Sequence, residues 1–285
     1  MPHIFRGIGK TYSPCLARIR TTHHISMPPR AFFFLLAFTA CVSAVRAAES
    51  AAPSPAPTAA SPAASVASAA SAAPANELTA AEKADGWVLL FDGKTFAGWR
   101  GYRQQKPPAS GWEVKDGTLK TMPKVRGTEL ITEKKFTDFE LAWEWRVAEG
   151  GNNGIKYFVT EDRPGAPGPE YQMIDDARHS DAKRGPLYQT GAFYDVLPPA
   201  ADKPLKPAGE WNTSRLIVKG NHVEHWLNGK IILAYEVGSP EVKAGLARSK
   251  FKDQPGFGEK ITGPIMLTYH DDECWFRSIK IRELQ

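Results

Sequence analysis

The chain has 285 residues with a formal net charge of +5, yet six of its 36 Lys and Arg lie in the first 48 residues, where no acid occurs. The remaining 30 basic and 31 acidic residues leave the rest of the protein near −1, and the basic excess lies in the leader rather than in the clustered basic face that a nucleic-acid binder needs. With Cys274 the sole thiol beyond the leader, no intramolecular disulfide is expected there, and Cys274-Trp275-Phe276 reads as core packing.

From the N-terminus, Met27 begins an export pattern: Arg30 as the positive flank, Ala31 to Val42 as a short apolar core, and Val45-Arg46-Ala47 as the small-residue cleavage site. Residues 1–47 are expected to be a signal peptide whose true start is Met27, too short in its apolar part to remain as a membrane span. Phe38-Thr39-Ala40-Cys41 also resembles a bacterial lipobox with Phe in place of Leu, so a membrane tether is expected only if Cys41 is lipidated. Residues 48–76, almost wholly Ala, Ser and Pro, lack the apolar side chains needed to offset chain entropy and predict a disordered spacer. The expected location is the periplasm or cell envelope.

The folded domain is expected over 77–285. A short helix is predicted at Thr79–Lys83, followed by strands at 87–91, 130–132, 139–147, 155–158, 171–174, 215–218, 223–227, 231–235, 265–269 and 275–281. Short strands separated by Gly, Pro and Asn predict an all-β sandwich of two antiparallel sheets. Asn228-Gly229 marks a two-residue hairpin turn, and Asp92-Gly93 and Asp116-Gly117 mark further turns.

The most informative stretch is Glu170-Tyr171-Gln172-Met173-Ile174-Asp175, which places acids and an amide in an apolar strand. Alternation puts Glu170, Gln172 and Ile174 on one face. A bulge near Ile174 would swing Asp175 round to join them, making a site. Gly150 to Gly154 is expected to be a loop whose Asn153 amide can meet sugar hydroxyls; it lacks the strand-to-helix context of a phosphate loop. On a strand, His222 and His225 point to opposite faces and read as structural. His270, beside Asp271 and Asp272 at a strand end, is a candidate base, donor or metal ligand. Asp175, Asp176, Asp271 and Asp272 supply oxygen donors for Ca²⁺ or Mn²⁺, although no loop has the spacing of a metal motif, and the metal stays open.

Six segments in order, Trp87-x-x-Leu90-Phe91-Asp92-Gly93-Lys94 through Trp99, Gly151-x-x-Gly154-Ile155, Pro169-Glu170-Tyr171-Gln172-x-x-Asp175, Thr190-Gly191-x-x-Tyr194, Gly209-Glu210-Trp211-Asn212, and Gly263-Pro264-Ile265 to His270 with Trp275-Phe276-Arg277, resemble the 3-keto-disaccharide hydrolase family, also described as a 3-keto-glucoside 1,2-lyase and 3-keto-2-hydroxy-glucal hydratase domain. The resemblance implies a concanavalin A-like jelly roll with a sugar site on its concave face, and export to the bacterial envelope. It departs at Thr268, where relatives often carry Gln, and at Ser278, where they often carry Asn. The residue chemistry fits that family: Glu170 and His270 are the expected catalytic residues, Gln172, Asp175, Asn153 and Tyr194 the expected substrate-binding residues, and a small carbohydrate the expected substrate, with no certain cofactor. A 3-keto group acidifies the C2 proton, so one base, an enolate stabiliser and a proton donor suffice for elimination and hydration. Glu170 is the expected base, His270 the donor or enolate stabiliser. The alternatives are a non-catalytic carbohydrate-binding sandwich, marked by an exposed aromatic platform, and a structural adhesion domain.

Overall fold

The computed structural model describes residues 74–163 and 165–285. The expected signal peptide and all but the last three residues of the spacer lie outside the described residues.

Two antiparallel sheets form the domain. The larger runs β11 (Lys230–Glu236), β10 (His222–Leu227), β9 (Asn212–Lys219), β6 (Phe139–Val147), β13 (Cys274–Glu283), β4 (Thr118–Thr121) and β3 (Trp112–Lys115), with β1 (Val88–Leu89) paired to β13. The smaller runs β2 (Trp99–Gly101), β5 (Leu130–Thr132), β12 (Met266–Leu267), β7 (Asn152–Lys156) and β8 (Glu170–Ile174). The long strands have the alternation of a sandwich: in β6, Leu141, Trp143, Trp145 and Val147 are buried while Ala142, Glu144 and Arg146 are less so.

The sheets meet through aromatic side chains. Trp143 of β6 packs edge-on against Tyr171 of β8, with ring centroids 5.1 Å apart, and its indole N–H points at Met173 Sδ at 3.2 Å. The Tyr171 hydroxyl reaches Ser214 Oγ of β9 at 2.9 Å. Tyr171 and Met173 thus commit one face of β8 to the core, leaving Glu170, Gln172 and Ile174 on the other. Cys274 is fully buried opposite Val147, and burial pushes its thiol well above the ordinary value, as core packing requires.

The strands at 130–132 and 139–147 have the expected bounds. The helix, α1 (Ala80–Ala84), starts one residue later because Thr79 is its N-cap, in a reciprocal capping box with Glu82. Asn228-Gly229 turns with φ of 46° and 84°, the two positive values its hairpin requires. Three short strands, β2, β3 and β4, were not foreseen; the last two flank the Asp116-Gly117 turn. A second helix, α2 (Pro240–Arg248), was also missed, although Ser239-Pro240-Glu241 is a start signal: Ser239 Oγ accepts from the Val242 N–H.

Candidate active site

Glu170 opens β8 and pairs in register with Lys156 of β7, while Gln172 pairs with Gly154. The four therefore share the outer face of the smaller sheet. The outer edge of β8 is covered by the backbone of 191–194, with Gln172 N–H donating to Ala192 C=O at 3.2 Å and Tyr194 N–H to Glu170 C=O at 3.1 Å. Glu170 is consequently only 7% exposed.

A carboxylate so buried needs charge partners. Lys156 Nζ lies 3.3 Å from Oε2, and His270 Nε2 lies 3.8 Å from Oε1, an ion-pair separation rather than a hydrogen bond. Burial by itself would raise the Glu170 pKa; attraction by Lys156, then by His270, more than offsets this and brings it down to about 2. Glu170 is thus held ionised at neutral pH. With its amide oriented to satisfy the network, Gln172 donates to Glu170 Oε1 at 3.3 Å and to the Asn153 carbonyl at 3.0 Å. His270 remains open to solvent, with 37% of its side chain exposed.

Tyr194 closes one side. Its hydroxyl donates to Asp181 Oδ2 at 2.6 Å, and burial together with the Asp181 carboxylate raises its pKa, so it stays protonated. Lys250 Nζ sits 4.4 Å from the centre of the Tyr194 ring. Burial lowers the Lys250 pKa, against the pull of Glu170. Lys156 and Lys250 were missed in the sequence. The first was legible, since extending β7 back to Asn152 puts Lys156 opposite Glu170; the second arrives from a loop after α2 and leaves no local signal.

Two expected members are elsewhere. Asp175 does not rejoin Glu170: β7 and β8 pair in unbroken register, with no bulge, and the Asp175 carboxylate accepts from the N–H groups of Gly150, Ala177 and Arg178 at 2.8, 3.1 and 3.2 Å. It fastens the turn beyond β8 and lines, with Trp145, Ile174 and Leu205, a separate cavity of about 200 Å³. Asn153 is fully buried on the opposite face of β7, because that strand starts at Asn152 rather than Ile155. Its Oδ1 accepts from the Gly154 N–H and from the Thr268 hydroxyl at 2.8 and 3.1 Å, so both Asn153 and Thr268 serve the interior.

The expected cation donors are dispersed. Asp176 pairs with Lys203 at 2.8 Å, Asp271 accepts from the Lys124 N–H, and Asp272 faces His179 at 4.0 Å. Among the described residues no group of three or more His, Cys, Asp and Glu is placed to hold a metal ion. As expected, His225 is buried and structural: Nδ1 donates to the Gly191 carbonyl at 2.9 Å, while His222 lies outward between Glu224 and Glu236.

Residues 86–282 match the model of a 3-keto-alpha-glucoside-1,2-lyase-like domain, which spans more than half of the chain. The chain belongs to this family. It is 35% identical to a 3-keto-disaccharide hydrolase of Bacteroides thetaiotaomicron, over 75% of this chain and 83% of that one. A crystal structure of a candidate glycosyl hydrolase from Parabacteroides distasonis is 34% identical, covers 74% of this chain and all of that one, and superposes with a TM-score of 0.67. A second candidate glycosyl hydrolase from the same organism is 28% identical over 70% of this chain and 99% of that one, with a TM-score of 0.57. This family member is a carbohydrate-cleaving enzyme on a jelly-roll sandwich.

Proposed function

We propose that the protein cleaves the glycosidic bond of 3-keto disaccharides or 3-keto glucosides by elimination and hydration at the Glu170–His270 site. The observation that carries this reading is the fixed anion of Glu170, held between Lys156 and the solvent-facing imidazole of His270. A carboxylate with a pKa near 2 is better suited to orient an imidazole than to take a carbon-bound proton, which reverses the roles expected from sequence. In this reading His270 removes the C2 proton that the C3 ketone has acidified, and the enolate charge is met by the cations Lys156 and Lys250. The C1–O bond then breaks, and the imidazolium returns its proton to the departing oxygen. Water adds its oxygen to C1 and a proton to C2, giving the 3-keto monosaccharide. Gln172 and Tyr194 border the ring. No divalent cation is assigned a role.

Incubation with 3-keto-trehalose and with plain trehalose tests this. Release of product from the oxidised sugar alone is expected, with solvent deuterium at C2 of the product made in D₂O beyond that of a free 3-keto-glucose control. Cleavage of plain trehalose, or no enzyme-dependent label at C2, overturns the elimination route.

We further propose that residues 27–47 direct export and that 77–285 act outside the cytoplasm, supported by the leader pattern. The N-terminal mass of the protein recovered from a bacterial envelope fraction tests this; an intact Met27 overturns cleavage.

A further inference from the structure

On the opposite side of the sandwich from Glu170, the outer face of the larger sheet carries a row of cations and indoles. Lys120 of β4 stands in register with Trp275 of β13, and Trp275 with Arg146 of β6. The Arg146 guanidinium lies 4.5 Å from the Trp275 ring centre and 5.1 Å from that of Trp211, and Arg277 lies 4.0 Å from Trp211. Lys120 is neutralised by Glu273 at 2.5 Å, and Arg277 by Glu144 at 2.6 Å. Arg146 is different. Among the described residues it has no carboxylate within 4.0 Å, and its Nε is buried without a hydrogen-bond partner. Lys115 and Asp116, at the β3–β4 turn, complete a cleft of about 310 Å³ around these side chains, within the range of small-ligand sites.

A guanidinium fixed between two indoles, deprived of a carboxylate and opening on a cleft, is arranged to receive one from outside. We propose that this cleft is a second saccharide site, for a sugar bearing a carboxylate, a uronic acid unit. Arg146 receives the carboxylate, Lys115 adds a second positive charge, and the exposed parts of Trp211 and Trp275 offer the apolar surface that sugar C–H groups need. This site is independent of the cleavage reaction and would hold the enzyme on an acidic glycan while the opposite face works.

Calorimetric titration of the full chain with tri-galacturonate, maltotriose and inorganic phosphate tests the proposal, read alongside tryptophan fluorescence. Tri-galacturonate is expected to bind and to perturb the emission, whereas maltotriose and phosphate are not. Arg146→Gln is expected to weaken tri-galacturonate binding by roughly tenfold or more, the loss of one charge-assisted contact. Lys115→Gln, on an exposed turn where folding is not at stake, should weaken it several-fold. Neither variant should change turnover of a 3-keto substrate. Equal binding of phosphate would reduce the cleft to a general anion site and overturn the proposal. So would no binding of tri-galacturonate, or binding that both variants leave unchanged.

Discussion

Gly154 lies directly beneath the Glu170 carboxylate: a Cβ built on Gly154 would come within 2.1 Å of Glu170 Oε1. The glycine is needed here for close approach, since its partner across the strands is Gln172 and the carboxylate leans diagonally over it. Gly154→Ala should push the Glu170 side chain off its place while leaving the strand intact. A fall in kcat/KM of about 10²-fold with a largely retained melting temperature is expected. Unchanged activity would show that the carboxylate position is not critical.

Exchanging roles between Glu170 and His270 has a kinetic signature. Glu170→Gln keeps shape and loses the orienting charge, so turnover should fall by roughly 10² to 10⁴ with little change in KM. His270→Gln should remove most of the rate, with KM close to that of the unaltered protein. Turnover that survives in His270→Gln and is lost in Glu170→Gln would return the basic role to Glu170.

Lys156 keeps Glu170 ionised, and the consequence for stability has a definite sign. The Glu170 pKa falls from an ordinary 4.5 to about 2 on folding, so its contribution is complete above pH 4.5 and is lost as pH falls toward 2. The amount is of order 3 kcal/mol. Lys156→Met should destabilise the protein at neutral pH and flatten this acid limb, because the carboxyl then titrates nearer its ordinary value. Denaturant unfolding at a series of pH values measures both effects.

Burial lowers the His225 pKa from 6.5 to about 4, since the ring is enclosed by Tyr157, Tyr171 and Tyr235. The unfolded chain takes up a proton below pH 6.5 that the folded chain refuses until pH 4. Stability should therefore drop by about 3 kcal/mol across that window. His225→Gln should lower the baseline and remove most of the slope; a slope left intact would assign it to other groups.

Asp175→Ala is the control for the site boundary. Loss of three N–H acceptor contacts at the turn should cost about 1–3 kcal/mol in stability. The kcat of the folded fraction should stay close to that of the unaltered protein. A large loss of turnover without loss of stability would move Asp175 into the site.

The sequence by itself determined the alternation of β6, the Asn228-Gly229 turn and the shared face of Glu170 and Gln172. Each depends on neighbours a few residues away, through side-chain period or positive φ. The six ordered motifs also carried the family. Tertiary structure decided what depends on register between distant segments. An unbroken β7–β8 ladder assigned Asp175 to the turn, and the start of β7 at Asn152 sent Asn153 inward while bringing Lys156 against Glu170. Lys250 reached Tyr194 by a loop after α2, and His270 reached Glu170 across 100 residues. The lowered pKa of Glu170 has the same origin, because a pKa is set by the burial and charges around a group, and those neighbours come from other segments.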